Sequence, residues 1–142
     1  MSRPEAYLFN SANLLVCGTG TIYAWMLYCL EPSDEFSISN HPMQADFQAW
    51  HILSAPILIF MVAILWKNHI WKGITRGKGP SRYSGFGLVI NLIPMIFSGY
   101  LLQITINETW NEIWMVIHIC TSGLWICATL IHLFHKFQLS SK

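Results

Sequence analysis

The sequence predicts an all-α integral membrane protein, a four-helix bundle with both termini in the cytoplasm. Three observations carry that prediction. Hydrophobic residues make up 54% of the chain and charged residues only 11%, against roughly 25% charged in a soluble domain. Four stretches, 6–30, 47–66, 83–107 and 113–135, contain no Asp, Glu, Lys or Arg. Each is near or above the roughly 20 residues a helix needs to cross a bilayer. On a four-span model every basic residue falls on one side: Arg3, Lys67, Lys72, Arg76, Lys78, Arg82, Lys136 and Lys142. The other side carries Glu31, Asp34, Glu35, Asp46, Glu108 and Glu112 and no Lys or Arg. The positive-inside rule assigns the basic side to the cytoplasm.

The 142 residues suffice for one membrane domain, with spans at about 10–30, 47–69, 84–106 and 113–136. A net charge of +1 argues against a nucleic-acid partner. Cys17, Cys29, Cys120 and Cys127 form no CxxC, so covalent c-type haem attachment and a thioredoxin-like pair are both excluded. All four lie in apolar segments and read as packed thiols. The run after Arg3 lacks a short apolar core and a small-residue cleavage site, so it reads as a retained first span rather than a signal peptide.

Span one contains Gly18 and Gly20 interleaved with Thr19 and Thr21. Small residues let helices approach closely in lipid, and they equally leave room for a flat macrocycle. The outer loop, 31–48, is acidic, and its His41 reads as a solvated polar residue. Span two opens on Trp50–His51, passes Pro56 and ends near His69. The inner loop, 67–82, is basic and glycine-rich. Span three has no histidine; Gly85, Gly87, Ser98 and Gly99 are small, Pro94 sits mid-span, and Asn91 is a polar residue in need of a partner. Span four, opening on Trp114, carries His118, His132 and His135. No internal repeat is clear beyond a correspondence between spans two and four.

Ionisable groups at membrane depth are expensive and usually functional. Spans two and four run in the same direction, so depth can be counted from the last outer acid. His51 is five residues after Asp46 and His118 six after Glu112, which sets both near the outer face. His118 and His132 are 14 residues apart, about 21 Å along a helix and about 40° in direction. His51 and His69, 18 residues apart, share a face about 27 Å apart. A six-coordinate haem iron takes an imidazole on each axial face. The pattern therefore suggests an outer haem on His51 and His118 and an inner haem on His69 and His132. His135 is the fallback for the inner ligand, because it matches the depth of His69. No span holds a carboxylate that would complete a non-haem metal site or a proton path.

The segments WHILSAPILIFMVAILWKNHIW, SGYLLQ and HICTSGLWICATLIHLFH resemble the small four-helix membrane cytochrome b subunits of bacterial and archaeal respiratory complexes. These are related to the cytochrome b subunits of formate dehydrogenase, Ni–Fe hydrogenase and thiosulfate reductase. The resemblance covers about residues 10–137. It implies two b haems, a prokaryotic inner-membrane location, and electron transfer between a quinone pool and a partner redox subunit. The chain then works as a subunit of an oxidoreductase complex rather than as an enzyme alone. Two rivals differ in class. A haem-free structural anchor subunit would give no b-type band in a reduced-minus-oxidised spectrum. A standalone quinone- or thiol-active enzyme would turn over quinone with an artificial acceptor and no partner.

Overall fold

The computed structural model describes residues 2–32, 34, 36–76 and 80–140; for Pro80, Ser81 and 136–140 it describes the backbone alone. Glu35, Lys78 and Lys142, and the side chain of Lys136, which belong to the predicted charge pattern, lie outside what is described. Among the described residues the chain is helical and has no strand. In order, α1 is Arg3–Cys29, α2 Gln44–Leu65, α3 Trp71–Arg76, α4 Pro80–Ile104 and α5 Glu108–Ser140, and a π-turn, Trp66–Ile70, lies between α2 and α3. Two compact units result, Met1–His69 and Ile70–Lys142.

The first unit is the α1/α2 hairpin. α1 starts earlier than the apolar run suggests because its N-terminus is capped. Ser2 Oγ accepts from the Glu5 N–H, and the Glu5 carboxylate accepts from the Ser2 N–H at 2.7 Å. Two otherwise orphaned donors are thereby paired, with a proline in the first turn, where its missing N–H does no harm. At the far end Asn40 Nδ2 donates to Leu27 O at 2.9 Å, which ties the outer loop back onto the last turn of α1. His41 accepts the Met43 N–H and serves the loop's own geometry.

The second unit is built around the α4/α5 hairpin. Asn107 Oδ1 accepts the Trp110 N–H at the start of α5, as an N-cap residue does. Asn111 Nδ2 reaches Leu102 O and Thr105 O, both at 3.3 Å, and so satisfies carbonyls at the end of α4. Asn91, the polar residue of span three, donates to Thr121 O at 2.7 Å. That bond joins the two helices at mid-length.

Three helical stretches, Gln44–Arg76, Arg82–Ile104 and Glu108–His135, are long and apolar enough to cross a membrane. α1 has the length, but Asn10, Ser11 and Asn13 dilute its apolar run, and it is not among the three. Large apolar side chains point outward on every long helix: Leu14 is 74% exposed, Leu53 71%, Ile93 67% and Leu124 62%. Water penalises such surface, whereas lipid accepts it; paired helical backbone is the other requirement of that solvent. The cysteines differ from expectation. Cys29, Cys120 and Cys127 are exposed on helix surfaces and only Cys17 is partly buried, so three of the four thiols are not packing residues. Ser54, Leu58, Val62 and Leu65 are buried, whereas Trp66 opens the π-turn and is 43% exposed.

Candidate functional site

Each hairpin holds a histidine against the neighbouring helix in the same way. In the first, His51 of α2 faces α1. Its Nδ1–H donates to Val16 O at 3.0 Å, with Thr19 Oγ1 3.4 Å away. The Thr19 hydroxyl donates back to Leu15 O at 2.8 Å, so its oxygen faces the imidazole as an acceptor. The ring lies so close to Gly20 that a Cβ there would stand 2.7 Å from Cε1 and 2.9 Å from Nδ1. Only glycine leaves that space.

In the second hairpin His118 of α5 faces α4. Nδ1–H donates to Met95 O at 3.1 Å, and Ser98 Oγ lies 3.2 Å away. The Ser98 hydroxyl donates to Pro94 O at 2.7 Å, and Ser98 is 1% exposed. A Cβ on Gly99 would come within 3.0 Å of Cε1 and 3.3 Å of Nδ1. The hydroxyl, the glycine after it, and the carbonyl three residues before it thus recur in both hairpins. The residue three beyond each histidine is also a hydroxyl: Ser54 Oγ donates to His51 O and Thr121 Oγ1 to His118 O, both at 3.1 Å.

His132 sits in a related setting, 14 residues further along α5. Ser84 Oγ is 3.0 Å from Nδ1, and a Cβ on Gly85 would meet Cε1 at 3.5 Å, an ordinary contact. His135 differs, since its Nδ1 is buried with no hydrogen-bond partner among the described residues. His69 lies in the π-turn, half-buried.

Chemically, a carbonyl oxygen accepts and never donates. The proton of His51 and of His118 is therefore on Nδ1, and Nε2 carries the lone pair. This is the tautomer in which a histidine ligates a metal, with its other nitrogen oriented by a second group. Among the described residues no three His, Cys, Asp or Glu side chains gather to hold a metal ion. The serines, threonine and glycines of α1 and α4 were visible in the sequence only as small-residue patches. A finer signal was there: Ser84–Gly85 and Ser98–Gly99 are 14 residues apart, the spacing of His118 and His132. No protein-family model, no curated protein and no solved structure matches the chain.

Proposed function

We propose that this chain is a di-haem b-type cytochrome subunit of the prokaryotic inner membrane. It crosses the bilayer four times with both termini in the cytoplasm, and it passes electrons between a quinone pool and a partner redox subunit. His51 and His118 ligate the outer haem iron; His69 and His132 ligate the inner one. The observation that carries the proposal is the shared setting of His51 and His118, each with Nδ1–H on a main-chain carbonyl and its ring against a glycine. A packing histidine needs a hydrogen bond; it does not need the same carbonyl, hydroxyl and glycine twice.

The residues fit the group. A haem iron would be held by two imidazoles, one from each hairpin, so no larger ligand cluster is required. When bound, haem supplies a reversible one-electron couple. The chain's part is to hold the ligands and their tautomer. Val16 O and Met95 O accept the Nδ1 protons of His51 and His118, which would make each Nε2 a stronger donor toward a bound iron. His132 is preferred to His135 because its hydroxyl and glycine repeat the setting of His118, whereas His135 has no such partner. The two-sided charge pattern supports the orientation. Little of the chain lies outside the helices, so further cofactors and the electron's other stations belong to partner subunits. The acidic loop 31–48 and the basic loop 67–82 are the surfaces on offer to them.

Purified chain should give a reduced-minus-oxidised spectrum with a b-type band and two haems per polypeptide. His118→Ala should remove the outer haem and His132→Ala the inner. Unchanged haem content in both variants would sink the assignment, and a chain with no b-type band would leave the anchor subunit in its place.

A further inference from the structure

The helical run that begins as α2 outlasts a bilayer. Gln44–Arg76 is 33 residues long, about 50 Å at 1.5 Å per residue, whereas the hydrocarbon core is about 30 Å thick. Its charge-free part, 47–66, is long enough to fill that core. The π-turn Trp66–Ile70 and α3 then stand in the headgroup layer or beyond it.

α3 sorts its surroundings by chemistry. Ile70 and Ile74, one turn apart, are half-buried, while Trp71, Lys72, Gly73 and Arg76 are exposed. Lys72 and Arg76, four residues apart, are neighbours on one face. Gly73 lies beside them, and nothing described comes within 4 Å of where its Cβ would be. Unlike Gly20 and Gly99, it makes room for no described neighbour, although glycine is a poor helix former. Arg82 and Tyr83, at the start of α4, are also exposed, and α3 packs against α4. No Asp or Glu occurs between Asp46 and Glu108, so this stretch carries no acid to neutralise its cations.

Helix geometry aims those cations at the membrane. Each Cα–Cβ bond tilts toward the helix N-terminus. α3 runs away from the bilayer, so Lys72 and Arg76 lean back toward it, stems along apolar surface and heads in the polar layer. Trp71 and Tyr83 are aromatics of the kind that settle at headgroup level. A cluster such as Lys67, Lys72, Arg76 and Arg82, just past a membrane helix, attracts anionic lipid.

We infer that Lys72 and Arg76 hold the phosphate of an anionic phospholipid, seated over the bare backbone of Gly73. Charge complementarity selects the occupant, because a zwitterionic lipid would bring a cation of its own into the same space. The inference rests on this helix crossing the membrane and not on haem. A chain without a b-type band would leave it standing.

The test titrates the full chain in neutral detergent with fluorescently labelled phosphatidylglycerol and with phosphatidylcholine of the same acyl chains, read by anisotropy. Each cation near an anionic lipid favours it about fivefold. Phosphatidylglycerol should therefore bind about 25-fold tighter, and Lys72→Gln combined with Arg76→Gln should bring the two lipids level. Arg3→Gln with Lys142→Gln removes the same charge elsewhere and should keep the preference. Gly73→Leu keeps every charge but fills the seat; it should weaken phosphatidylglycerol binding several-fold, and it covers the case in which the charge variant fails to fold. Equal binding of both lipids by the wild type overturns the inference and leaves these cations to an acidic partner surface. A preference that survives Lys72→Gln with Arg76→Gln, or that the control pair lowers as much, also overturns it. So does wild-type affinity in Gly73→Leu, or displacement of the lipid by inorganic phosphate, which would make this a site for a free anion.

Discussion

Gly20→Ala tests the proposed ligand cradle more sharply than removal of a histidine, because it leaves every histidine in the chain. The new Cβ would stand 2.7 Å from His51 Cε1, closer than carbon atoms tolerate, so something must move. Parting α1 from α2 is overpacking, at about 1–3 kcal/mol. Tilting the imidazole away instead breaks its bond to Val16 O, at about 0.5–1.5 kcal/mol. The second route is cheaper and should win. Alanine also gains about 0.8–1 kcal/mol over glycine in a helix interior, which nearly cancels the loss. Net stability should therefore hardly change while the imidazole loses its aim.

Gly18→Ala isolates the propensity term, since nothing lies within 4 Å of a Cβ there. Denaturation in detergent micelles, followed by far-ultraviolet circular dichroism, should place Gly20→Ala about 0.5–1.5 kcal/mol below Gly18→Ala, the hydrogen-bond term alone. The outer haem should be lost or spectrally altered in the first variant and normal in the second. Gly99→Ala, at 3.0 Å, should fall between them, and Gly85→Ala, at 3.5 Å, should resemble the control. Equal stability and identical spectra for Gly20→Ala and Gly18→Ala would refute the idea that the glycine exists for the histidine.

Ser84→Ala takes the hydroxyl from beside His132 and should weaken inner haem retention about 10–100-fold, as loss of an orienting partner does at metal sites; transfer of haem to a scavenger protein measures it. Asn91→Leu removes the bond to Thr121 O and should lower stability by about 0.6–1.7 kcal/mol, the range for polar bonds between membrane helices, read from the same denaturation curves. The Glu5 carboxyl is held below its usual range chiefly by the Ser2 N–H. A group whose pKa is depressed on folding contributes stability above its unfolded pKa and loses it as pH falls through the folded value. The first turn of α1 should therefore fray on acidification. A carboxyl carbon-13 shift for Glu5 that titrates in the ordinary glutamate range would contradict this.

The helices were legible because lipid imposes a coarse requirement, long uncharged runs, and charge-free stretches mark α2, α4 and α5 well. Their ends were less so. Ser2–Glu5 capping extends α1 beyond its apolar run, and the π-turn after Leu65 follows no hydrophobic period. The histidines were visible as ionisable groups within long apolar runs. Their partners were not, since Val16 O and Met95 O are main-chain atoms that any residue supplies, and a glycine in a membrane helix is ambiguous until the ring beside it is seen. The likeness of the two hairpins was hidden for a related reason. It rests on Thr19–Gly20 against Ser98–Gly99 and on one histidine apiece, while most residues between them differ.

A main-chain acceptor has no side chain to lose. Replacing Val16 or Met95 with another residue leaves the carbonyl that orients each imidazole, so alanine scanning is blind to half of the arrangement. Valine supplies that oxygen in one hairpin and methionine in the other. Only chemistry that alters the peptide link itself, such as an amide-to-ester exchange between Val16 and Cys17, reaches that oxygen. The adjoining hydroxyl and glycine are the parts inheritance can see, and a search for distant kin is best conducted on those dipeptides and their histidines.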